Sequence, residues 1–445
     1  MLAPSRPLIL LLLLTGCGAT ASIPTSGSPN PDRPTRLVLD NGMRVIIQEH
    51  RASDVVALHL WVGVGGRDEG PAELGFSHLV EHMLFKGTET RGPGFTDREV
   101  EAVGGRTNAG TSLDYTFYYI LLPARQTLQA IELMADVAFN SAFDPRELER
   151  ERQVVFEEVR LGEDNPRSSL FRQLYTHVFP AHAYGRPVLG DEAALKAATR
   201  ETLRGYYRRH YAPENMTLVV IGAVDPAEVR AVVDRTFARV PAAGYRRQPL
   251  PPPPSLPGVE RHVVSRNEKQ AHLALGWSAP PLDHPDVFAV DLLASILGGS
   301  RSSRLNQALR ERDRLVSSIR ASYGALQGGG LVSVSAQLEP GDLGKVEEAI
   351  LAEIRRIQTE GVTEVERRRA ITAAESEHAF AIETAEGLAY AYGLAETVWR
   401  LEEELRYLER LGSVTREQIH EAARRYLPTD RYSVLAFTPP ARTLR

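Results

Sequence analysis

The chain has 445 residues, 43% hydrophobic and 24% charged, with a net charge of −5 at pH 7. Single cores stop growing at roughly 250–300 residues, so this length predicts two domains of about 200 residues each. The composition is globular, and the slight acidic excess excludes the basic footprint expected of a nucleic-acid-binding protein.

Arg6 followed by the apolar run Leu8 to Leu14 is too short to span a bilayer and predicts a secretion signal. Next comes Leu14-Thr15-Gly16-Cys17, which resembles the lipobox of bacterial lipoproteins. That resemblance implies a signal peptide over residues 1–17 and a lipid anchor on Cys17. The protein would then sit in a bacterial cell envelope, facing the periplasm or the exterior. Cys17 is the only cysteine, which excludes an internal disulfide. Ser, Thr, Pro and Gly dominate residues 18–34, as expected of a flexible tether.

The body opens with a hairpin over 36–48, alternating in hydrophobicity around Asn41-Gly42. A strand over Val55 to Val64 follows, then helical periodicity near 73–86, 96–103, 124–138, 145–162 and 167–178. Between these helices, Tyr115 to Leu122 is aromatic and β-branched, hence a strand. The first half closes with Thr199-Arg200-Glu201, a helix carrying Arg208-Arg209, then Tyr211-Ala212-Pro213 and a strand over Met216 to Ile221.

The second half ends in the same order: Thr415-Arg416-Glu417, Arg424-Arg425, Tyr426-Leu427-Pro428, and a strand from Tyr432 to Phe437. A duplication therefore predicts an α+β protein of two homologous domains, 35–245 and 258–442. Each is expected to be an antiparallel-rich sheet packed with helices, the two facing each other as a clamshell. Prolines make 246–257 a stiff linker. The Gly328 to Gly330 run reads as a turn between strands, with no phosphate-binding helix beside it.

Phe76 to Met83 reads FSHLVEHM. Four residues apart on a helix, His78 and His82 share one face and both imidazoles can reach one metal ion. Glu81 is placed to touch a metal-bound water. Two imidazoles with a carboxylate suit zinc, and the third protein ligand must come from elsewhere in the chain. Glu151 and Glu158 lie two helical turns apart, beside the apolar stripe of Val154, Val155 and Val159.

With Met83-Leu84-Phe85-Lys86-Gly87-Thr88, Gly104-Gly105-x-x-Asn108-Ala109-x-Thr111, Tyr184-Gly185-Arg186-Pro187 and Ile296-Leu297-Gly298-Gly299, these segments carry a resemblance. The chain resembles the inverted zinc peptidases, the family of pitrilysin, insulin-degrading enzyme and mitochondrial processing peptidase. Its length resembles the half-size, processing-peptidase branch. The resemblance implies one Zn²⁺ per chain held by His78, His82 and Glu158, with Glu81 as general base. It makes Glu151 the carboxylate that orients a ligand histidine. It also implies that residues 104–119 bind peptide by strand addition, through Asn108, Ala109 and Thr111.

Family members also offer an Arg and, seven residues on, a Tyr that contact the substrate. Arg310 fits, but Ser317 stands where the Tyr is expected. Tyr323 or another group of the chain, such as backbone amides, is one substitute. The other is a partner subunit, since the branch works as dimers: a homodimer, or a heterodimer with a zincless homologue. The helix expected over Pro285 to Leu297 has no histidine, so the second domain is expected to be zincless. The expected function is a zinc-dependent endopeptidase acting on peptides or unfolded segments. The alternative is a non-catalytic, scaffold-like or chaperone-like lipoprotein of the same fold.

Overall fold

The structure, a computed structural model, describes residues 33–440. Cys17, its lipobox and nearly all of the expected tether lie outside the described residues. Among the described residues, no helix is long and apolar enough to cross a membrane.

The hairpin forms as expected, β1 (Thr35–Val38) antiparallel to β2 (Arg44–Glu49). Gly42 occupies φ 84°, a left-handed conformation that glycine adopts without steric cost. The first half continues with β3 (Val55–Val62), α1 (Phe76–Leu84), α2 (Phe95–Ala102), β4 (Arg106–Thr111) and β5 (Thr116–Pro123). Then come α3 (Thr127–Asn140), α4 (Pro145–Asp164), α5 (Pro166–Val178), α6 (Glu192–Ala197), α7 (Arg200–His210), β6 (Met216–Gly222) and α8 (Pro226–Arg235). The stretch 104–119 thus spans β4 and the start of β5, joined by a turn in which the Ser112 N–H bonds the Tyr115 carbonyl.

The second half comprises β7 (Val259–Ser265), β8 (Ala271–Ala279), α9 (Val287–Ala294), β9 (Val316–Leu326) and β10 (Gly329–Leu338). It ends with α10 (Leu343–Glu360), α11 (Glu364–Ala381), α12 (Ala385–Val398), α13 (Leu401–Leu405), α14 (Tyr407–Gly412), α15 (Arg416–Tyr426) and β11 (Tyr432–Thr438). A turn at Gln327-Gly328 joins β9 to β10, so Gly329 and Gly330 already belong to the strand.

The two sheets repeat one plan. Strand order is β1-β2-β6-β3-β5-β4 in the first and β7-β11-β8-β10-β9 in the second. In each, the last strand of its half runs parallel to the first long strand, β6 to β2 and β11 to β7. The helices before those last strands start alike, with Thr199 and Thr415 each closing a capping box.

Helix exchange locks the halves together. On one face each sheet packs its own helices around its own core. The other face of the first sheet, with Ala57, Trp61 and Val219, is covered by Leu388, Ala389 and Tyr392 of α12 from the second half. Reciprocally, Leu170, Leu174 and Val178 of α5 cover Ala274, Leu435 and Phe437 of the second sheet. Burial on both faces is why β3 and β6 read as nearly continuous apolar runs. Small residues permit the approach: a Cβ at Gly276 would lie 2.7 Å from Val178, and one at Gly393 would overlap the Trp61 indole.

The 246–257 linker is extended, yet it is tied down along its length. Arg247 reaches Asp68 Oδ2 at 2.6 Å and the Asp114 carbonyl at 2.7 Å, and Leu256 is buried.

Candidate metal centre

The start of α1 is built with unusual care. Gly75 takes φ 91° at the N-cap and packs against Gly190, where a Cβ on either would strike backbone. No side chain of Gly75 can cap the helix, so the buried Glu69 carboxylate does, accepting the N–H groups of Gly75 and Ser77 at 2.8 Å each. Burial pushes the Glu69 pKa up to about 8, against the pull of those bonds. Phe76, Leu79, Val80, Met83 and Leu84 enter the core. That leaves His78, Glu81 and His82 along the flank that faces α4 and β4.

Helix α4 begins at Asp144, whose carboxylate accepts the N–H groups of Arg146 and Glu147, with Pro145 in the first turn. Its two-turn repeat brings Glu151 and Glu158 to α1. The Nε2 atoms of His78 and His82 are 3.3 Å apart. Glu158 Oε2 lies 3.3 Å from His78 Nε2 and 3.6 Å from His82 Nε2. A tetrahedral zinc with ~2.0–2.1 Å bonds has ligand–ligand edges of roughly 3.3–3.4 Å. The three donors therefore fit the ion, and among the described residues they form the single His/Cys/Asp/Glu group so arranged.

The surrounding groups prepare these ligands. His82 Nδ1 sits 3.0 Å from Glu151 Oε2, so Nδ1 carries the proton and Nε2 keeps its lone pair for a metal. Lys86 Nζ bonds the other oxygen, Glu151 Oε1, at 2.9 Å. Burial alone would raise the Glu151 pKa, but the bonds from His82 and Lys86 outweigh it and hold the carboxyl below its ordinary value. Burial, then the neighbouring His82, pushes His78 down to about 3, so its ring is neutral and competent to ligate. Burial also raises the Glu81 pKa, partly offset by a hydrogen bond from Thr111.

Strand β4 is the edge of the first sheet and lies beside α1. Thr107, Asn108 and Ala109 line one cavity of about 390 Å³ together with His78, Glu81, His82, Glu151 and Glu158. Asn108 is exposed, its Oδ1 accepting the Ala109 N–H. Thr111 donates to Glu81 Oε2 at 2.5 Å, so it touches the expected base as well as ending the edge strand.

Among the described residues, none from the second half lines this cavity. Arg310 is exposed on the π-helix Asn306–Arg312, and Ser317 Oγ donates to the Gln337 carbonyl. Tyr323 is ruled out as a free donor, because its hydroxyl is committed to the Pro280 carbonyl at 2.5 Å. Two contributors escaped the sequence reading, Glu69 and Lys86. Lys86 had a signal, one helical turn after His82. Glu69 had none, since its role depends on a loop returning to the helix start.

Two family models match the chain. One is described as insulinase (peptidase family M16), over residues 44–192, and the other as peptidase M16 inactive domain, over residues 197–374. An uncharacterized zinc protease of Mycobacterium leprae is 32% identical over 411 residues, covering 91% of this chain and 92% of that protein. One from Bacillus subtilis is 30% identical over 331 residues, covering 74% and 80%. Among solved structures, a protease from Helicobacter pylori matches with TM-score 0.86 at 23% identity, over 92% of this chain and 99% of that one. A periplasmic protease from Escherichia coli matches with TM-score 0.76 at 23% identity, over 93% of this chain and 48% of that one.

Proposed function

The chain belongs to the insulinase family of peptidases, and from that premise we propose that it is a zinc-dependent endopeptidase for peptides and unfolded segments. The observation that carries the proposal is the triangle of His78 Nε2, His82 Nε2 and Glu158 Oε2 at zinc spacing, with Glu81 beside it. When bound, zinc supplies Lewis acidity and lowers the pKa of a water toward 7.

The chain's own groups do the rest. The free edge of β4 takes an extended peptide by main-chain hydrogen bonding, which selects unfolded substrates. Thr111 occupies Glu81 Oε2, leaving Oε1 to accept the proton of the attacking water. Burial raises the basicity of Glu81, which suits a group that must take this proton and then give it to the leaving amine. A scaffold role for the same fold has no need of three aligned ligands with an oriented imidazole behind them.

Partnership belongs to the same proposal. Val154 and Leu161 stand 44% and 67% exposed on the face of α4 that carries Glu158, and among the described residues none from the second half walls the cavity. A second subunit, identical or a zincless homologue, would cover these side chains and bring an oxyanion donor that Ser317 does not provide. Attachment to the bacterial envelope through a lipid on Cys17 is proposed from the lipobox alone.

The experiment is elemental analysis and peptide-library digestion of the purified protein. One zinc per chain and chelator-sensitive cleavage are expected. His82→Ala should lose both. Glu81→Gln should keep its zinc and lose at least about 10²-fold in turnover. A fully zinc-loaded wild type that cuts no peptide, alone or with a zincless homologue, would return the chain to the scaffold reading.

A further inference from the structure

Arg247 stands in the linker between the halves, its side chain largely shielded from solvent. One guanidinium meets three separate segments of the chain. Nε and Nη2 grip the Asp68 carboxylate at 3.0 and 2.6 Å, and Nη2 also donates to the Asp114 carbonyl at 2.7 Å. Nη1 donates to Gln327 Oε1 at 3.0 Å. Asp68 lies in the loop between β3 and α1, Asp114 in the turn between β4 and β5, and Gln327 in the turn between β9 and β10.

The loop is the firm side of this clasp, because Glu69, next to Asp68, is bonded into the start of α1. The turn is held against it: the N–H groups of Gly66 and Arg67 donate to the carbonyls of Ser112 and Leu113 at 3.1 and 3.0 Å. The second half joins at the same point. Asp114 Oδ2 accepts the Gln327 N–H at 2.8 Å, and the Tyr184 hydroxyl bridges Asp114 Oδ1 to the Gly328 N–H at 2.8 Å each. Thr111, three residues before Asp114, holds Glu81 Oε2.

Charge alone does not account for an arginine here. Arg67, Asp68, Asp114 and Arg247 form a shielded group of two cations and two anions, which a lysine would balance equally well. An ammonium is a point donor, however, and cannot span a carboxylate, a carbonyl and an amide oxygen from one rigid fork as a guanidinium does.

We propose that Arg247 is a positioning residue of the metal centre: from the linker it clasps the turn that follows β4 between the α1 loop and the second half, and through Thr111 it sets where the Glu81 carboxylate stands. The inference rests on the peptidase reading for the chemistry that is positioned. Arg247 itself touches neither the metal ligands nor the cavity around them.

The test uses full-length protein and a fluorogenic peptide that the wild type cleaves. Arg247→Lys should keep its zinc and its melting temperature, while kcat falls about tenfold at unchanged KM. The same substitution in a Thr111→Val background should lower kcat no further, because the bond it protects is already gone. A second readout needs no catalysis. In zinc-stripped protein the Ser112 amide, bonded to the Tyr115 carbonyl, should exchange its hydrogen about tenfold faster in Arg247→Lys than in the wild type. Should Arg247→Lys fail to fold, Gln327→Ala, which frees Nη1 alone, carries the same comparisons with smaller effects. Wild-type kcat in the variant, wild-type exchange at Ser112, or a full loss of kcat on top of Thr111→Val overturns the inference. A zinc-loaded wild type that cuts no peptide would overturn the peptidase reading instead, and exchange at Ser112 would still decide whether Arg247 holds the turn.

Discussion

Thr111 Oγ1 donates a 2.5 Å hydrogen bond to Glu81 Oε2, tying the last residue of the edge strand β4 to the carboxylate beside the candidate metal site. Thr116, opposite Thr111 in the register, bonds the Val64 carbonyl and fixes the hairpin from behind. The bond leaves one Glu81 oxygen for the proton and holds the carboxylate in one rotamer. Thr111→Val should therefore lower kcat about tenfold, with KM and zinc content unchanged. Thr111→Ser, which keeps the hydroxyl, should restore most of the loss. Equal kcat for the wild type and Thr111→Val would show that Glu81 is positioned by its helix alone.

Glu151 holds His82 on one oxygen and Lys86 on the other. Glu151→Gln still offers an acceptor to His82 Nδ1 but removes the charge that makes Nε2 a better ligand. Zinc affinity should fall about 10–100-fold, read by competition with a fluorescent chelator. His59→Leu, remote from α1 and α4, serves as the control with unchanged affinity.

The candidate metal group was legible because helical spacing is local: His78 and His82 must share a face, and so must Glu151 and Glu158. The repeat was legible too, since Thr199 and Thr415 cap equivalent helices. What remained hidden depends on returns of the chain. Nothing in the run around Glu69 announces that its carboxylate caps α1. Exchange of α5 and α12 was equally invisible, because an amphipathic stripe says that a helix is buried and not which sheet buries it. Gly393 was a trace of it, a glycine inside a helix.

His59 gives the protein an acid-sensitive core. Its ring stacks among Trp61, Phe117 and Tyr119, and among the described residues neither nitrogen has a hydrogen-bond partner. Burial pushes its pKa down to about 3, whereas an unfolded histidine titrates near 6.5. Above pH 6.5 the ring is neutral in both states and stability is independent of it. Between those values the unfolded chain takes a proton that the folded chain refuses. Stability then falls by up to about 1.4 kcal/mol per pH unit. His59→Leu should shrink that acid slope by about one proton in urea denaturation of metal-free protein. An unchanged slope between pH 4.5 and 6.5 would mean that His59 is protonated in the folded state.

Gly393 faces Trp61 across the boundary between the halves, with no room for a Cβ. In an isolated helix, Ala in place of Gly gains about 1 kcal/mol. Here the added methyl must push α12 away from β3, and overpacking of this kind costs roughly 1–3 kcal/mol. The two effects have opposite signs, so the measurement is decisive: Gly393→Ala should lower the melting temperature. The damage should not stay within the second half, because α12 covers the first sheet while α5 covers the second. Calorimetry and fluorescence should report one shared transition in both the wild type and the variant. A raised melting temperature, or two separated transitions with the first half melting unchanged, would mean that the exchanged helices do not bind the halves into one cooperative unit.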